Sequence, residues 1–212
     1  MRARQIAPLL LALSLAAAPL AASEEPSGSP YFKTLYQSLP EGTYEALSGW
    51  EDALHAHLDA LLDEHGSTDN AAAAREILEL TDAPRIDFDS EDELIGDWRV
   101  RSLQADGLGV YAYSWFPARI YREGQALVFD KASGSQRHRG LMALASKDAV
   151  FFAGALYYGY EEPRMHSAHM APGVDADPAM DATALIHKLG PDHYLMVFDH
   201  DPGRFRFYEI AR

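Results

Sequence analysis

The sequence predicts an α+β protein that is mainly β, with N-terminal helices followed by an antiparallel β-barrel of about eight strands. Three observations carry this prediction. Apolar residues recur at helical spacing between residues 44 and 80, and alternation with a period of two begins near residue 97 and continues to the end. Glycine-containing turns separate the alternating runs. With 212 residues, 48% of them hydrophobic, the chain is long enough to bury a core.

The first 22 residues have the pattern of a secretory signal peptide. Arg2 and Arg4 precede an apolar run that reaches Leu20, and small residues follow at Ala21-Ala22-Ser23. The run contains two prolines and is short for a helix that spans a bilayer. We therefore expect cleavage near Ala22 and a periplasmic mature protein without stable membrane insertion.

Two segments lie between the signal peptide and the barrel. Residues 23–40 begin with a Ser/Pro/Gly-rich stretch, which predicts a flexible mature N terminus. Residues 41–85 are predicted to be helical, with a first helix between Tyr44 and His65 and a second from residues 67–69 to Leu80. An apolar stripe about 100° wide follows the first helix through Leu47, Leu54, Leu58, Leu61 and Leu62.

Residues 86–212 form the predicted barrel domain. Nine alternating runs cover residues 98–103, 110–113, 116–121, 126–129, 136–143, 149–158, 183–188, 194–198 and 205–210. Their tight links favour an antiparallel meander, and closure into a barrel removes exposed strand edges. The gap at residues 160–181 is too long for an ordinary hairpin loop.

The start of the first strand resembles that of lipocalin-like barrels. Gly96-Asp97-Trp98 is similar to the Gly-x-Trp of those proteins. The resemblance implies an arginine from the last strand that covers the tryptophan, for which Arg204 and Arg206 are the candidates.

A more specific resemblance is to the domain of unknown function 4893 family, over roughly residues 40–212. It is carried by DWRVR at residues 97–101, YSWFPARI at 113–120, SGSQR at 133–137, FAGAL at 152–156 and YEI at 208–210. The resemblance implies a small exported bacterial protein, and no activity comes with it. It also implies cysteines in relatives where Val100 and Ala118 stand here, so that packing replaces a disulfide in this chain.

The composition excludes several classes of function. The chain has no cysteine, which removes disulfides, thiolate metal sites and thiol nucleophiles. A formal charge of -14 argues against general binding of nucleic acid or anionic membranes. The charge is uneven, because residues 24–95 carry 3 basic and 18 acidic groups whereas residues 96–147 carry 8 basic and 4 acidic.

The basic block contains the predicted ligand-binding residues. Arginines two positions apart share one face of a strand, and the guanidinium group suits carboxylate or phosphate. An anion-binding patch on neighbouring strands would consist of Arg99, Arg101, Arg119, Ser135, Gln136 and Arg137. The alternative is that these arginines face outward and pair with the acidic helices.

Metal sites and enzyme motifs have little support. The loop that contains His166, His169 and nearby methionines matches no strong metal signature, and we predict neither a metal nor a cofactor. No nucleophile elbow, zinc-protease motif, phosphate loop or dinucleotide motif is present. The sequence neither supports nor excludes a hydrolase that uses Ser135 as its nucleophile.

The leading functional hypothesis is a non-catalytic periplasmic binding protein for a small, anionic ligand. A hollow barrel would support it, whereas the ligand hypothesis fails if the interior is filled by Trp98, Phe152 and their neighbours. The alternative is a protein inhibitor or interaction module with a basic protein partner, by analogy with small periplasmic barrels that inhibit lysozyme.

Overall fold

The computed structural model describes residues 28–65, 68–200 and 203–212. The predicted signal peptide and its cleavage site lie outside these residues. Within the described residues, no helix is both long enough and apolar enough to cross a membrane.

Three helices precede the sheet: α1 at Pro30–Gln37, α2 at Glu51–His65 and α3 at Thr68–Thr81. The predictions for α2 and α3 are confirmed. Helix α1 corrects the expectation of a flexible segment over residues 23–40. The Ser29 side chain accepts the Tyr31 N–H at its start, and the buried Leu35 gives the helix an apolar anchor. The Ser/Pro/Gly-rich composition of the preceding residues predicted a flexible segment, and the short amphipathic helix was therefore missed.

All nine predicted runs are strands. Their bounds are β1 Gly96–Asp106, β2 Gly109–Ala112, β3 Phe116–Glu123, β4 Ala126–Lys131, β5 Gln136–Ser146, β6 Ala149–Tyr158, β7 Asp181–Gly190, β8 His193–Phe198 and β9 Phe205–Ala211. Every pairing is antiparallel, and β1 also pairs with β9. Eight strands therefore close into a barrel, and β2 lies outside it as an extra strand on β1. The predicted fold is confirmed.

The helices cover parts of the outer face of the barrel. Leu54 and Leu58 of α2 and Ile77 of α3 pack on Leu103 of β1 and Phe207 of β9, all of them buried. This apolar layer contains the part of the predicted stripe from Leu54 to Leu62, extended by the second helix. Leu47, predicted in the same stripe, lies in a 3-10 turn at Glu45–Leu47 and packs with Leu35 instead. Helix α1 packs separately, through Leu35 and its neighbours, on the outer residues of β5 and β6.

The half of the barrel that contains Trp98 is filled by side chains. Phe129, Phe152 and Tyr194 are buried there among aliphatic residues from the other strands. The phenyl ring of Phe152 lies over Gly140 and Gly154, where a Cβ atom would approach it to 2.6 and 2.3 Å, respectively. Because these side chains pack to van der Waals contact, this half is not a hollow for a ligand.

Trp98 closes this end of the barrel. Its indole Nε1–H donates to the Leu94 carbonyl at 2.7 Å, and the Arg212 guanidinium lies 4.0 Å above the ring. The covering arginine is therefore Arg212, and the prediction of Arg204 or Arg206 was wrong. Strand β9 runs antiparallel to β1, so the start of β9 lies at the opposite end from Trp98 and only its C-terminal end reaches the ring.

Val100 and Ala118 both face the interior on neighbouring strands. Val100 lies opposite Phe116 and Ala118 lies opposite Trp98, so the two are diagonal neighbours on β1 and β3. Both are buried in the barrel core. In this chain the pair contributes apolar packing at the place where the family resemblance implies cysteines.

Candidate functional site

A cluster of polar side chains lies inside the barrel at the end opposite Trp98. Lys131 of β4 and His138 of β5 are directly paired in the sheet. Alternation along β4 places Lys131 on the inner face with Leu127 and Phe129. Arg206 and Tyr208 of β9 complete the polar cluster, which we define as Lys131, His138, Arg206 and Tyr208.

His138 is fully buried and uses one of its two ring nitrogens. Its Nδ1 lies 2.6 Å from the Tyr208 hydroxyl, and its ring packs 4.9 Å from the ring centre of Phe198. Its Nε2 has no hydrogen-bond partner within the part of the chain that the structure describes. Burial lowers the pKa of His138 well below its usual value, and the charges of Arg206 and Lys131 lower it further. The imidazole is therefore neutral, and its Nε2 is a buried polar atom that the described residues leave without a partner.

Lys131 places a buried ammonium group at the same end of the barrel. Its Nζ donates to the carbonyls of Ser133 at 2.9 Å and Gln136 at 2.8 Å, and it lies 4.9 Å from the Phe116 ring centre. Burial, with the charge of Arg137 as a second cause, lowers the pKa of Lys131 to about 8. The group still carries its proton at neutral pH, and two carbonyls use two of its three N–H bonds.

Arg206 adds a positive charge to the polar cluster, and Tyr208 adds a neutral hydroxyl group. The Arg206 guanidinium lies 4.8 Å over the Phe198 ring. Burial raises the pKa of the Tyr208 hydroxyl, which therefore stays protonated. Among residues 28–65, 68–200 and 203–212, no carboxylate forms an ion pair with Lys131 or Arg206. Two cations and a neutral imidazole in an aromatic enclosure favour a negatively charged ligand.

The predicted arginines lie on the outer face of the barrel instead. Arg99 donates to the Arg212 carbonyl at 3.1 Å, and Arg119 lies 3.8 Å from Asp97. Arg137 donates to the Gly134 carbonyl at 2.9 Å. These three side chains share an outer surface because β1, β3, β4 and β5 are successive neighbours in the sheet. The barrel wall separates them from the polar cluster, and the surface patch stays a prediction.

Arg101 pairs with an acidic residue of a helix, which is the alternative to ligand binding that the sequence left open. Its guanidinium forms ion pairs with Glu76 of α3 and Glu209 of β9, and it lies 4.8 Å from the Trp115 ring centre. An arginine with two carboxylates around it has little positive potential left for a ligand. Its position supports a role in joining the helical layer to the barrel.

Ser135 and Gln136 lie exposed at the turn between β4 and β5. The backbone carbonyl of Gln136 accepts the Lys131 ammonium, so the turn borders the polar cluster. Among the contacts of the described residues, no histidine ring is a partner of the Ser135 hydroxyl. The hydrolase that uses Ser135 stays an untested alternative.

The histidine-containing loop between β6 and β7 is held by protein contacts. His166 Nδ1 lies 3.5 Å from Asp181, and His169 Nε2 lies 2.7 Å from the Ser38 hydroxyl. Within the described parts of the chain, no group of three or more His, Cys, Asp or Glu side chains is arranged to hold a metal ion.

Sequence reasoning missed all four residues of the polar cluster as site residues. The signal was present at His138, which occupies an inward position of the predicted run at residues 136–143, whereas Lys131 lies two residues beyond the predicted run at 126–129. The predicted ligand-binding residue Arg137 lies on the opposite face of β5 from His138. A buried polar residue is more informative than an exposed one.

Comparisons with known proteins identify a family and no specific function. No curated protein shows a significant sequence match. A solved structure described as a redesigned beta barrel, mFAP1, bound to DFHBI, is similar at 14% identity with a TM-score of 0.36, covering 57% of this chain and 96% of that chain. That likeness is too low to support a functional argument. Residues 41–202 match the family described as Domain of unknown function (DUF4893), which is most of the chain. The protein belongs to this family.

Proposed function

We propose that this protein binds a small anionic ligand at the polar end of its barrel. The observation that carries the proposal is the fully buried Nε2 of His138, which has no hydrogen-bond partner among the described residues. Leaving such an atom unpaired costs about 1–3 kcal/mol, so a bound group that supplies the bond stabilises the folded protein.

The charges of the polar cluster set the sign of the ligand. Lys131 and Arg206 both lower the pKa of His138, which means that the potential at the imidazole is positive. A bound anion reverses that effect and keeps Lys131 protonated. A cationic ligand would add to the same positive potential and is disfavoured.

Packing sets the size of the ligand. Trp98, Phe129 and Phe152 fill the other half of the interior, so we place the ligand at the polar cluster, beside Phe116 and Phe198. The proposed ligand is therefore a carboxylate or oxyanion of a few heavy atoms. The filled half excludes the long apolar ligand that a deep hollow barrel would hold.

Calorimetric titration with sodium acetate, sodium nitrate and sodium phosphate at constant ionic strength tests the proposal. We expect saturable binding of at least one of them to the wild type and at least about tenfold weaker binding to Lys131→Met. Lys33→Met is the matched control, since it makes the same change at an exposed position of α1 and should leave the affinity unchanged. Equal binding by Lys131→Met, or no saturable binding of any of the three, would contradict the proposal.

The affinity should depend on pH with a definite sign. The anion binds the protonated form of Lys131, whose pKa is about 8 in the free protein. Above that value the ammonium loses its proton, and the affinity should fall by roughly tenfold per pH unit. An affinity that stays constant from pH 7 to pH 9 would show that Lys131 does not contact the ligand.

Export to the periplasm is part of the same proposal. It is supported by the cationic start, the apolar run and the small residues at Ala21-Ala22-Ser23. Intact-mass measurement of the protein from a periplasmic extract should give a chain that lacks about the first 22 residues. A full-length chain that fractionates with the cytoplasm would contradict this part.

A further inference from the structure

We propose that the open edge of β2 is a docking site where an extended, basic segment of a partner protein adds a strand alongside α3. This surface is separate from the polar cluster. The inference goes beyond anion binding and does not depend on it.

Strand β2 has one paired edge and one open edge. It pairs with β1 in the register Leu103 with Ala112 and Ala105 with Val110, and the Tyr113 N–H donates to the Ser102 carbonyl at 2.9 Å. Hydrogen-bonded residues alternate in an antiparallel pair, so Tyr111 and Tyr113 bond to β1. Val110 and Ala112 therefore direct their N–H and C=O groups away from β1. No strand within the described residues pairs with that second edge.

A groove of about 880 Å³ runs between this edge and α3. One wall is formed by Asn70, Ala73 and Glu79 of α3, and the other is β2 from Val110 to Tyr113. An added strand lies about 4.8 Å from its neighbour and needs only a channel of this kind beside the edge. Val110 is 3% exposed and Ala112 is exposed, so the backbone groups of Ala112 supply the hydrogen bonds that hold such a strand regardless of its sequence.

The edge lacks the features that usually protect an open strand. Soluble proteins place lysine or proline on such edges, but β2 has the sequence GVYA without a charge or a proline. Apolar surface lies next to it, because Leu108 is 86% exposed and Tyr113 is 48% exposed. This combination is typical of an edge that receives a partner strand.

The surrounding charge selects a basic partner. Helices α2 and α3 together contain eight acidic residues and one basic residue, Arg75. Glu79 lines the groove, as do Arg75 and Glu76, and Glu76 is paired with Arg101. A second copy of this chain carries the same formal charge of -14, so two copies repel each other at this surface. A segment with lysine or arginine is attracted to it.

Fluorescence anisotropy with a labelled, capped peptide of alternating lysine and valine tests the proposal, and an alternating glutamate and valine peptide is the control. We expect the basic peptide to bind more tightly by at least about tenfold. Ala112→Pro removes an N–H that points to the open edge and none that bonds to β1, so it should weaken binding at least about tenfold while the fold is kept. Glu79→Lys should weaken binding roughly threefold. Glu162→Lys makes the same charge change at an exposed position outside the groove lining and should have no effect.

Amide hydrogen exchange on the wild type gives a second readout that needs no variant. The basic peptide should slow exchange at Ala112 and leave Tyr111, already bonded to β1, unchanged. Unaltered exchange at Ala112, equal binding of both peptides, or normal binding by Ala112→Pro would overturn the proposal. Concentration-dependent dimerisation that Ala112→Pro abolishes would assign the edge to a second copy and would also overturn it.

Discussion

Replacement of Lys131 by methionine tests whether a charged ammonium group is buried inside the barrel at a cost in folding stability. The pKa of Lys131 falls from 10.5 to about 8 in the folded protein, chiefly because the ammonium is buried. At 1.36 kcal/mol per pH unit, and reduced for partial screening by solvent, this difference is about 2 kcal/mol. Below pH 8 both states hold the proton, and the folded protein carries the whole cost. Between pH 8 and 10.5 only the unfolded state is protonated, and the cost disappears as the pH rises.

Urea unfolding of the wild type and Lys131→Met across this pH range measures the effect. The stability of the wild type relative to the variant should increase by about 2 kcal/mol between pH 8 and 10.5. The carbonyls of Ser133 and Gln136 lose a donor in the variant, which adds an offset that does not depend on pH. Lys33→Met, at an exposed position of α1, is the control and should show no such increase. A constant difference between the wild type and Lys131→Met would refute burial of a charged Lys131.

Three other sets of substitutions test the packing and charge of the fold by chemical unfolding. Gly154→Ala should destabilise the protein by about 3 kcal/mol, because the added Cβ would lie 2.3 Å from the Phe152 ring. Gly107→Ala is the control: its added Cβ would have no neighbour within 4 Å, so stability should change by less than about 0.5 kcal/mol. Arg101→Met should cost about 2 kcal/mol by leaving the buried Glu209 without its guanidinium partner, and adding Glu209→Gln should restore part of that loss. Burial lowers the pKa of His187 to about 4. Between pH 6.5 and 4 the unfolded state therefore binds a proton that the folded state does not, and the stability of the wild type should fall as the pH is lowered. In His187→Leu this decrease in stability should be smaller by about 3 kcal/mol. Equal effects of the two glycine variants, no recovery with Glu209→Gln, or identical acid profiles would each contradict the corresponding contact.

The strands and the two longer helices were predictable because their periodicity records which side is buried. Residues 149–158 were predicted as a strand and form β6 with the same bounds, since both faces of that segment are apolar and turns flank it. Helix α1 was not predictable from composition, because eight residues contain too few turns to show a period, and the helix depends on docking Leu35 against the sheet.

The site was harder to predict than the fold because its residues come from strands far apart in the chain. His138 and Tyr208 are 70 positions apart, and only barrel closure brings Nδ1 and the hydroxyl together. The arginines near residue 100 were conspicuous in the sequence, but their carboxylate partners, such as Glu209 for Arg101, are equally distant. Sequence alternation assigns a residue to a face, and the closure of the sheet decides which face is the interior.

Nuclear magnetic resonance of protein labelled with ¹⁵N in its histidine rings, titrated with sodium acetate, sodium nitrate and sodium phosphate, tests the central claim most directly. The Nε2 signal of His138 should shift in a saturable manner with at least one of these anions, and the shift should be lost in Lys131→Met. His55, which pairs with Asp82 on an exposed surface, is the internal reference and should not respond. A His138 signal that stays constant in the presence of all three anions would contradict anion binding at the polar end of the barrel.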